Sequence, residues 1–360
     1  MRFIKIDQLK NGMKTARPIY NKKGVLLYDR GSKLTAQAID SIRNFGLIGI
    51  YVLDDAEPLP PMSEEDMEFE RFQSVNVFAL RDEYAEIMTT HHVHITERLV
   101  SEIVKTYGHL HHKVNFVQDI RSREDYVPKH SLNVAILSAM MTSKMNAAIQ
   151  DQHDCIVACL LHDIGKTTIP EALLAGEESE EVERIMDNSQ DTGFEIIDNL
   201  YADNANIKRI CVQTHMILNN LEHGREQEKM RILLGTRVML VAEVFDAMTS
   251  MSPTGIKEPR SFVEALRYLQ KYPDVFNKKA VEALVDSIQI LQPGVSVELS
   301  NGKQALVIST NVANILYPMV LDFSTNQMID LSDRKTYGDL EIVDVVKTMD
   351  SRYVMNSDKQ

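Results

Sequence analysis

Apolar residues recur at helical spacing through most of the chain. Leu34, Ala38, Ile39, Ile42 and Phe45 form an early stripe, and Ile95, Leu99, Ile103 and Val104 form a second. The pattern is strongest over 130–145, 153–165, 205–218, 231–250 and 261–271, so residues 119–288 read as almost wholly helical. The two ends have a different texture. Ile19–Tyr20 and Val25–Leu27 flank Asn21-Lys-Lys-Gly24, which predicts a hairpin, and Ile48–Leu53 reads as a strand. Past Pro293, two alternating apolar runs flank Asn301-Gly302, the strongest short hairpin signal, and further runs follow at Leu316–Phe323 and Leu340–Val346. Pro58, Pro60 and Pro61 stand in an acidic stretch that reads as a linker. The expected architecture is mainly α. A small N-terminal α+β module (1–57) precedes a linker and helical segment (58–118), a helical bundle (119–288) and a small C-terminal β module (289–360).

Charge changes the picture only locally. The 360 residues carry 52 acidic and 39 basic side chains, a net charge of −13. Such a balance excludes a general nucleic-acid binder or a binder of anionic membranes, which need an exposed basic patch. Residues 54–70 hold eight acids and no base, and 177–191 hold seven acids and one arginine, so the remaining chain is nearly neutral. A local phosphate site therefore stays open. No run reaches the ~18–20 apolar residues of a membrane span; even Ile232–Met248 is broken by Arg237, Glu243 and Asp246. The first ten residues lack the apolar stretch of a secretory signal, and Cys155 and Cys159 sit in an apolar run as reduced core residues, so the expected location is the cytoplasm.

The chemistry concentrates at His162-Asp163, where the apolar run Ala158-Cys-Leu-Leu ends in an adjacent imidazole and carboxylate, followed by Gly165 and Lys166. A carboxylate beside such a core needs a cation or hydrogen bonds to compensate it. A divalent metal is one solution, since histidine nitrogen and aspartate oxygen ligate Zn, Mn and Fe; a capping role at a helix end is the other. His130 and Glu243 are the candidate further ligands, and Glu243 and Asp246 share a helix face at i,i+3. Gly165-Lys166-Thr167 is no phosphate-binding P-loop, because Leu160 stands where that motif needs glycine. Six histidines (His91, His92, His94, His109, His111 and His112) include i,i+3 pairs, but without a completing carboxylate or cysteine they read as a solvated helix face.

His130-Ser-Leu-Asn-Val-Ala, Leu160-Leu-His162-Asp163-Ile-Gly-Lys166 and Val241-Ala-Glu243-Val-Phe-Asp246-Ala-Met-Thr-Ser together resemble the HD-GYP branch of the HD metal-dependent phosphohydrolases. The resemblance implies a helical bundle that binds metal and hydrolyses cyclic di-GMP. Carried across by residue, it implies metal ligation by His130, His162, Asp163 and Glu243, and catalytic or phosphate-binding roles for Asp163, Lys166 and His215. The sequence also departs from that branch. Ser189 and Thr214 stand at ligand-histidine positions, Met216 replaces a carboxylate, and Ile217–Arg225 lacks the Gly-Tyr-Pro signature. The ligands left suffice for one ion of Fe, Mn or Zn. The expectation is a divergent phosphodiesterase-family protein with a reduced, mononuclear site and a cyclic dinucleotide ligand. The alternative is an inactive signalling or interaction module that binds a nucleotide, a protein partner or a second copy of itself.

Overall fold

The computed structural model describes residues 2–21, 23–45, 49–53, 63–116, 125–169, 180–227, 229–250, 259–311 and 313–345. Pro58, Pro60 and Pro61, the acidic Glu177 and Glu178, and Val346 lie outside these. The described residues form ten α-helices between two small β regions, as the apolar patterning predicts. Among them, no helix is long and apolar enough to cross a membrane.

At the N-terminus, β1 (Arg2–Lys5), β5 (Gly49–Leu53) and β2 (Lys14–Thr15) form an antiparallel sheet in the order β1-β5-β2. The predicted hairpin is present as β3 (Ile19–Tyr20) paired with β4 (Leu26–Tyr28). Its turn is held by the Asn21 side chain, which accepts from the Lys23 and Val25 amides, and by Gly24 at φ +72°. Helix α1 (Ala36–Asn44) starts at Thr35, whose hydroxyl accepts from the Ala38 amide. Leu34, Ile42 and Val52 close a small separate core.

Helix α2 (Glu64–Thr90) opens on a capping box in which Ser63 and Asp66 satisfy each other's amides at 3.1 Å. Glu64, Glu65 and Asp66 lie in its first turn, so part of the first acidic run complements the helix dipole. The buried Glu83 carboxylate then accepts from the amides of His94, Ile95 and Thr96 and starts α3 (Thr96–Tyr107). Its place in α2 thus fixes where the next helix begins.

Helix α4 (Tyr126–Lys144) is central. Residues 128–142 are buried all round, which explains why this run carries apolar and small residues on every face rather than one stripe. It packs against α2, α3, α5 (Ile149–Leu161), α8 (Leu234–Thr249) and α10 (Lys278–Ser287). Helix α7 (Ala205–Glu222) packs on α5 and α8, and α6 (Glu180–Leu200) packs on α7. Leu80 and Ile87 of α2, Ile136 of α4 and Val241 of α8 belong to one contiguous core. That core continues through α9 (Phe262–Lys271) to Val297, Val307 and Ile342.

The C-terminal region is a five-stranded antiparallel sheet in the order β10-β6-β7-β8-β9. Its strands are β6 (Ser296–Leu299), β7 (Gln304–Ser309), β8 (Met319–Asp322), β9 (Met328–Asp330) and β10 (Ile342–Val345). Asn301-Gly302 turns β6 into β7, with Gly302 at φ +75°. Arg267 of α9 ties the sheet to the helices by donating to the Ile342 carbonyl and pairing with Glu341.

One close approach shapes the region that carries His162-Asp163. After α5 the chain makes a short 3-10 turn, Ile164–Thr168, against which α6 packs. A Cβ at Gly165 would lie 1.8 Å from the Ser189 carbonyl oxygen and 2.9 Å from the Gly193 amide, both backbone atoms of α6. No rotamer relieves that overlap. Gly165→Ala is therefore expected to destabilise the fold by about 2–3 kcal/mol, the upper range for forced overpacking. Urea unfolding of the variant against the parent measures it.

Candidate metal centre

The side chains singled out in the sequence come from three places. His130 sits in the first turns of α4, His162 and Asp163 end α5, and Glu243 and Asp246 lie one turn apart on α8. Packing of α4 against both α5 and α8 brings them together. His130, His162 and Asp163 are all buried, and they can each turn one ligand atom to within 4.8 Å of the others. The Glu243 Oε2 lies 3.1 Å from His130 Nε2 and 2.9 Å from His162 Nε2. Asp163 Oδ2 is 3.6 Å from His162 Nε2.

Each imidazole is oriented from behind. His130 Nδ1 lies 2.6 Å from the Asp246 carboxylate, which can only accept, so Nδ1 carries the proton. His162 Nδ1 lies 2.7 Å from the Cys159 carbonyl and donates to it for the same reason. Both Nε2 lone pairs therefore face the common centre when the rings are neutral. A carboxylate or carbonyl behind a histidine is the usual way to fix its tautomer for metal ligation. Tyr126 stacks on the His130 ring at 6.1 Å, and Gln190 of α6 donates to the His162 carbonyl.

Electrostatics point the same way. Burial disfavours a charged His130, yet Glu243 and Asp246 outweigh it and hold its pKa well above 6.5. His162 is raised despite burial by Asp163 and Glu243. Glu243 is only partly exposed, yet His130 and His162 push it well below 4.5 against that burial, and His162 and Lys166 lower Asp163 against its own. Without a cation the carboxylates thus draw protons onto both imidazoles. Even so, His162 Nε2 and Glu243 Oε2 make no properly directed hydrogen bond to any partner. Buried polar atoms left that way cost about 1–3 kcal/mol each. Two orphaned donor atoms facing one point, with imidazole and carboxylate chemistry around it, fit a divalent transition-metal ion.

The remaining sequence candidates sit around this centre. Lys166 Nζ is 2.7 Å from Asp163 Oδ2 and a quarter exposed, so its ammonium bridges the centre and solvent. Burial opposes its charge, but Asp163 and Glu243 raise its pKa. His215 is on α7, half-buried, with its ring edge-on to Phe194 of α6 at 5.8 Å. Burial and the nearby Lys166 lower its pKa, so it is a neutral imidazole at neutral pH and no cation for phosphate. Ser189 is buried with its hydroxyl donating to the Met186 carbonyl, and the buried Thr214 hydroxyl lacks a partner among the described residues. The histidines at 91, 92, 94, 109, 111 and 112 are exposed, but they lie in the loops after α2 and α3 rather than on a helix face; the His94 and His112 rings pair with Glu86 and Glu65.

Sequence reasoning missed the support behind His130. Asn133 Nδ2 donates to Asp246 Oδ1 at 2.8 Å, and Gln73 Nε2 of α2 donates to Asn133 Oδ1 at 2.7 Å. Asn133 lies one turn after His130, a spacing that could have flagged it. Gln73 has no such signal.

Residues 127–248 match the family model for the HD domain, a span that runs from the start of α4 to the end of α8. A cyclic di-GMP phosphodiesterase of Pseudomonas aeruginosa is 24% identical over 208 residues, covering 57% of this chain and 49% of that protein. The chain thus spans about half the length of the curated relative it matches. No solved structure matches it.

The proton balance predicts a pH dependence whose sign can be stated. Histidines raised above 6.5 contribute stability that is complete below that value and lost as pH rises through their folded pKa. Glu243 and Asp163, lowered from 4.5 and 3.8, contribute stability that is lost as pH falls through theirs. In chelator, thermal stability is expected to be greatest between about pH 4.5 and 6.5 and to fall as pH rises above that range through the raised histidine pKa values. Excess Mn²⁺ reverses the alkaline fall, because metal and proton compete for Nε2. Melting curves with and without the ion, across that pH range, measure both arms.

Proposed function

We propose, from the match of residues 127–248 to the HD-domain family model, that this chain is a mononuclear metal-dependent phosphohydrolase acting on a phosphodiester, with a cyclic dinucleotide as the substrate class. The observation that carries the reading is the buried cluster of His130, His162 and Asp163, with Glu243 Oε2 against both imidazoles and both rings locked from behind. The name of the Pseudomonas relative supports the substrate class.

Charge supports one ion rather than two. Asp163, Glu243 and Asp246 set three carboxylates against one ammonium, Lys166, and with neutral imidazoles a single divalent cation brings the cluster to neutrality. A second divalent ion would leave two uncompensated positive charges in a buried site, which is costly. Ser189 and Thr214 offer only hydroxyls where further ligands would be needed, and Met216 offers a thioether, a poor match for these ions.

When bound, the ion supplies Lewis-acid polarisation of a phosphoryl oxygen and a water of lowered pKa. The protein's own groups do the rest. His130 and His162 would hold it, and Asp246 and the Cys159 carbonyl keep both tautomers fixed with Nε2 turned to the centre. Lys166 offers a phosphate oxygen the face of its ammonium not engaged by Asp163 and neutralises charge there. Asp163 accepts hydrogen bonds beside the reacting centre. His215, neutral at neutral pH, is suited to accept a proton or donate one hydrogen bond rather than to pair as a cation.

A second reading keeps the centre but not turnover. In it the chain binds a cyclic dinucleotide or a protein as a signalling module. Ser189 and Thr214 favour it, because they remove the ligands a second ion would use.

Metal analysis of protein purified without chelator is expected to find about one Fe, Mn or Zn per chain, and Asp163→Ala to abolish it. An empty wild-type site removes the proposal. With the metallated protein, hydrolysis of cyclic di-GMP or of a generic phosphodiester supports the enzyme reading, and cleavage of neither leaves the binding module.

A further inference from the structure

We propose that Gln73, on a helix outside the HD-domain span, is a positioning residue of the metal centre. It acts on the ligand His130 through Asn133 and Asp246. The inference rests on the metal-site reading above, and it stands on a hydrogen-bond chain whose direction is fixed by chemistry. The Asp246 carboxylate accepts at both oxygens: Oδ2 from His130 Nδ1 at 2.6 Å and Oδ1 from Asn133 Nδ2 at 2.8 Å. With its amide nitrogen turned to Asp246, Asn133 must turn its oxygen the other way. Gln73 meets that oxygen with its own amide nitrogen at 2.7 Å. Four side chains thus run in one sense, Gln73 to Asn133 to Asp246 to His130, and all are less than a tenth exposed. Reversing any one amide would set two acceptors face to face.

The chain crosses three helices, α2, α4 and α8. Its far end sits where α2 is already held from the other side. Glu70, one turn before Gln73, pairs with Arg17 of the N-terminal module, and Gly24 of the β3-β4 turn packs against Arg71 and Val75. Gln73 is therefore set on a helix clamped at that turn, which gives Asn133 a fixed donor. Asn133 so oriented leaves Asp246 one placement, and Asp246 sets the ring angle and tautomer of His130.

The test uses the full chain with Gln73→Met, which keeps length and removes the donor, and Gln73→Glu, which keeps shape and inverts the polarity. In chelated protein, the Nδ1-bound proton of His130 is followed by NMR. It is expected to be slowly exchanging in the parent and shifted with faster exchange in both variants. In cobalt-loaded protein, Co²⁺ affinity is expected to fall about tenfold, the size of effect seen when support behind a ligand is removed, with a changed ligand-field spectrum. If the variants only lower the melting temperature and leave the His130 proton, the spectrum and the affinity as in the parent, Gln73 is structural and the proposal fails. Should one variant not fold, the other carries the same two readouts. Failure of the parent to bind Co²⁺ overturns the metal reading alone, because the chelated-protein arm still decides whether Gln73 orients His130.

Discussion

The Asp246 carboxylate lies wholly buried between α4 and α8, and the bundle is organised around keeping it compensated. An isolated charge there would cost far more than any single packing contact returns. His130, Asn133 and the Ser250 hydroxyl supply the donors. His130 and Asn133 satisfy Asp246 only if α4 holds one rotation against α8, whereas Ser250 lies one turn on from Asp246 itself. The apolar surfaces of α4, α5 and α8 could pack at several rotations with similar burial, whereas the polar set permits one. Specificity of this kind comes from the penalty for leaving a buried group unpaired more than from the strength of each bond.

The site's electrostatics follow from the same burial. Two carboxylates and two imidazoles brought together away from water must share protons or share a cation. The carboxylates raise the affinity of both imidazoles for protons, and His162 Nε2 and Glu243 Oε2 are poorly directed toward each other. Glu243 has a longer reach than an aspartate at that position. That extra methylene lets its oxygen come within 3.1 Å of both imidazole nitrogens from a backbone position a full turn before Asp246.

Much of this was legible in the sequence where a local rule applied. Helical spacing marks α5, α7, α8 and α9, an unbroken run of apolar and small residues marks α4, and Asn21-Lys-Lys-Gly24 and Asn301-Gly302 mark hairpins because turn residues act within four positions. His162-Asp163 stood out because a polar pair closes an apolar helix. What depends on distant partners was not legible. Pairing of β1 with β5 joins residues 2–5 to 49–53, and nothing local in Arg2–Lys5 announces it. Gln73 meets Asn133 across sixty positions, and Glu83 starts a helix that begins thirteen residues later. The continuity of the core from α2 through the bundle to the C-terminal sheet is likewise invisible to a window, since every apolar face looks alike until it is paired. Lys166 illustrates a subtler limit. Its charge was readable, but not that Asp163 would already engage it.

Order of assembly is also written into the centre. His130, His162 and Asp163 leave the ribosome well ahead of Glu243 and Asp246, which follow by some eighty residues or more. Until α8 docks, the His130 ring has no Asp246 behind it and no Glu243 before it. A nascent chain halted before residue 243 therefore offers a cation only half a cage. The centre closes late, as contacts of long sequence separation do, and only once α8 is in place.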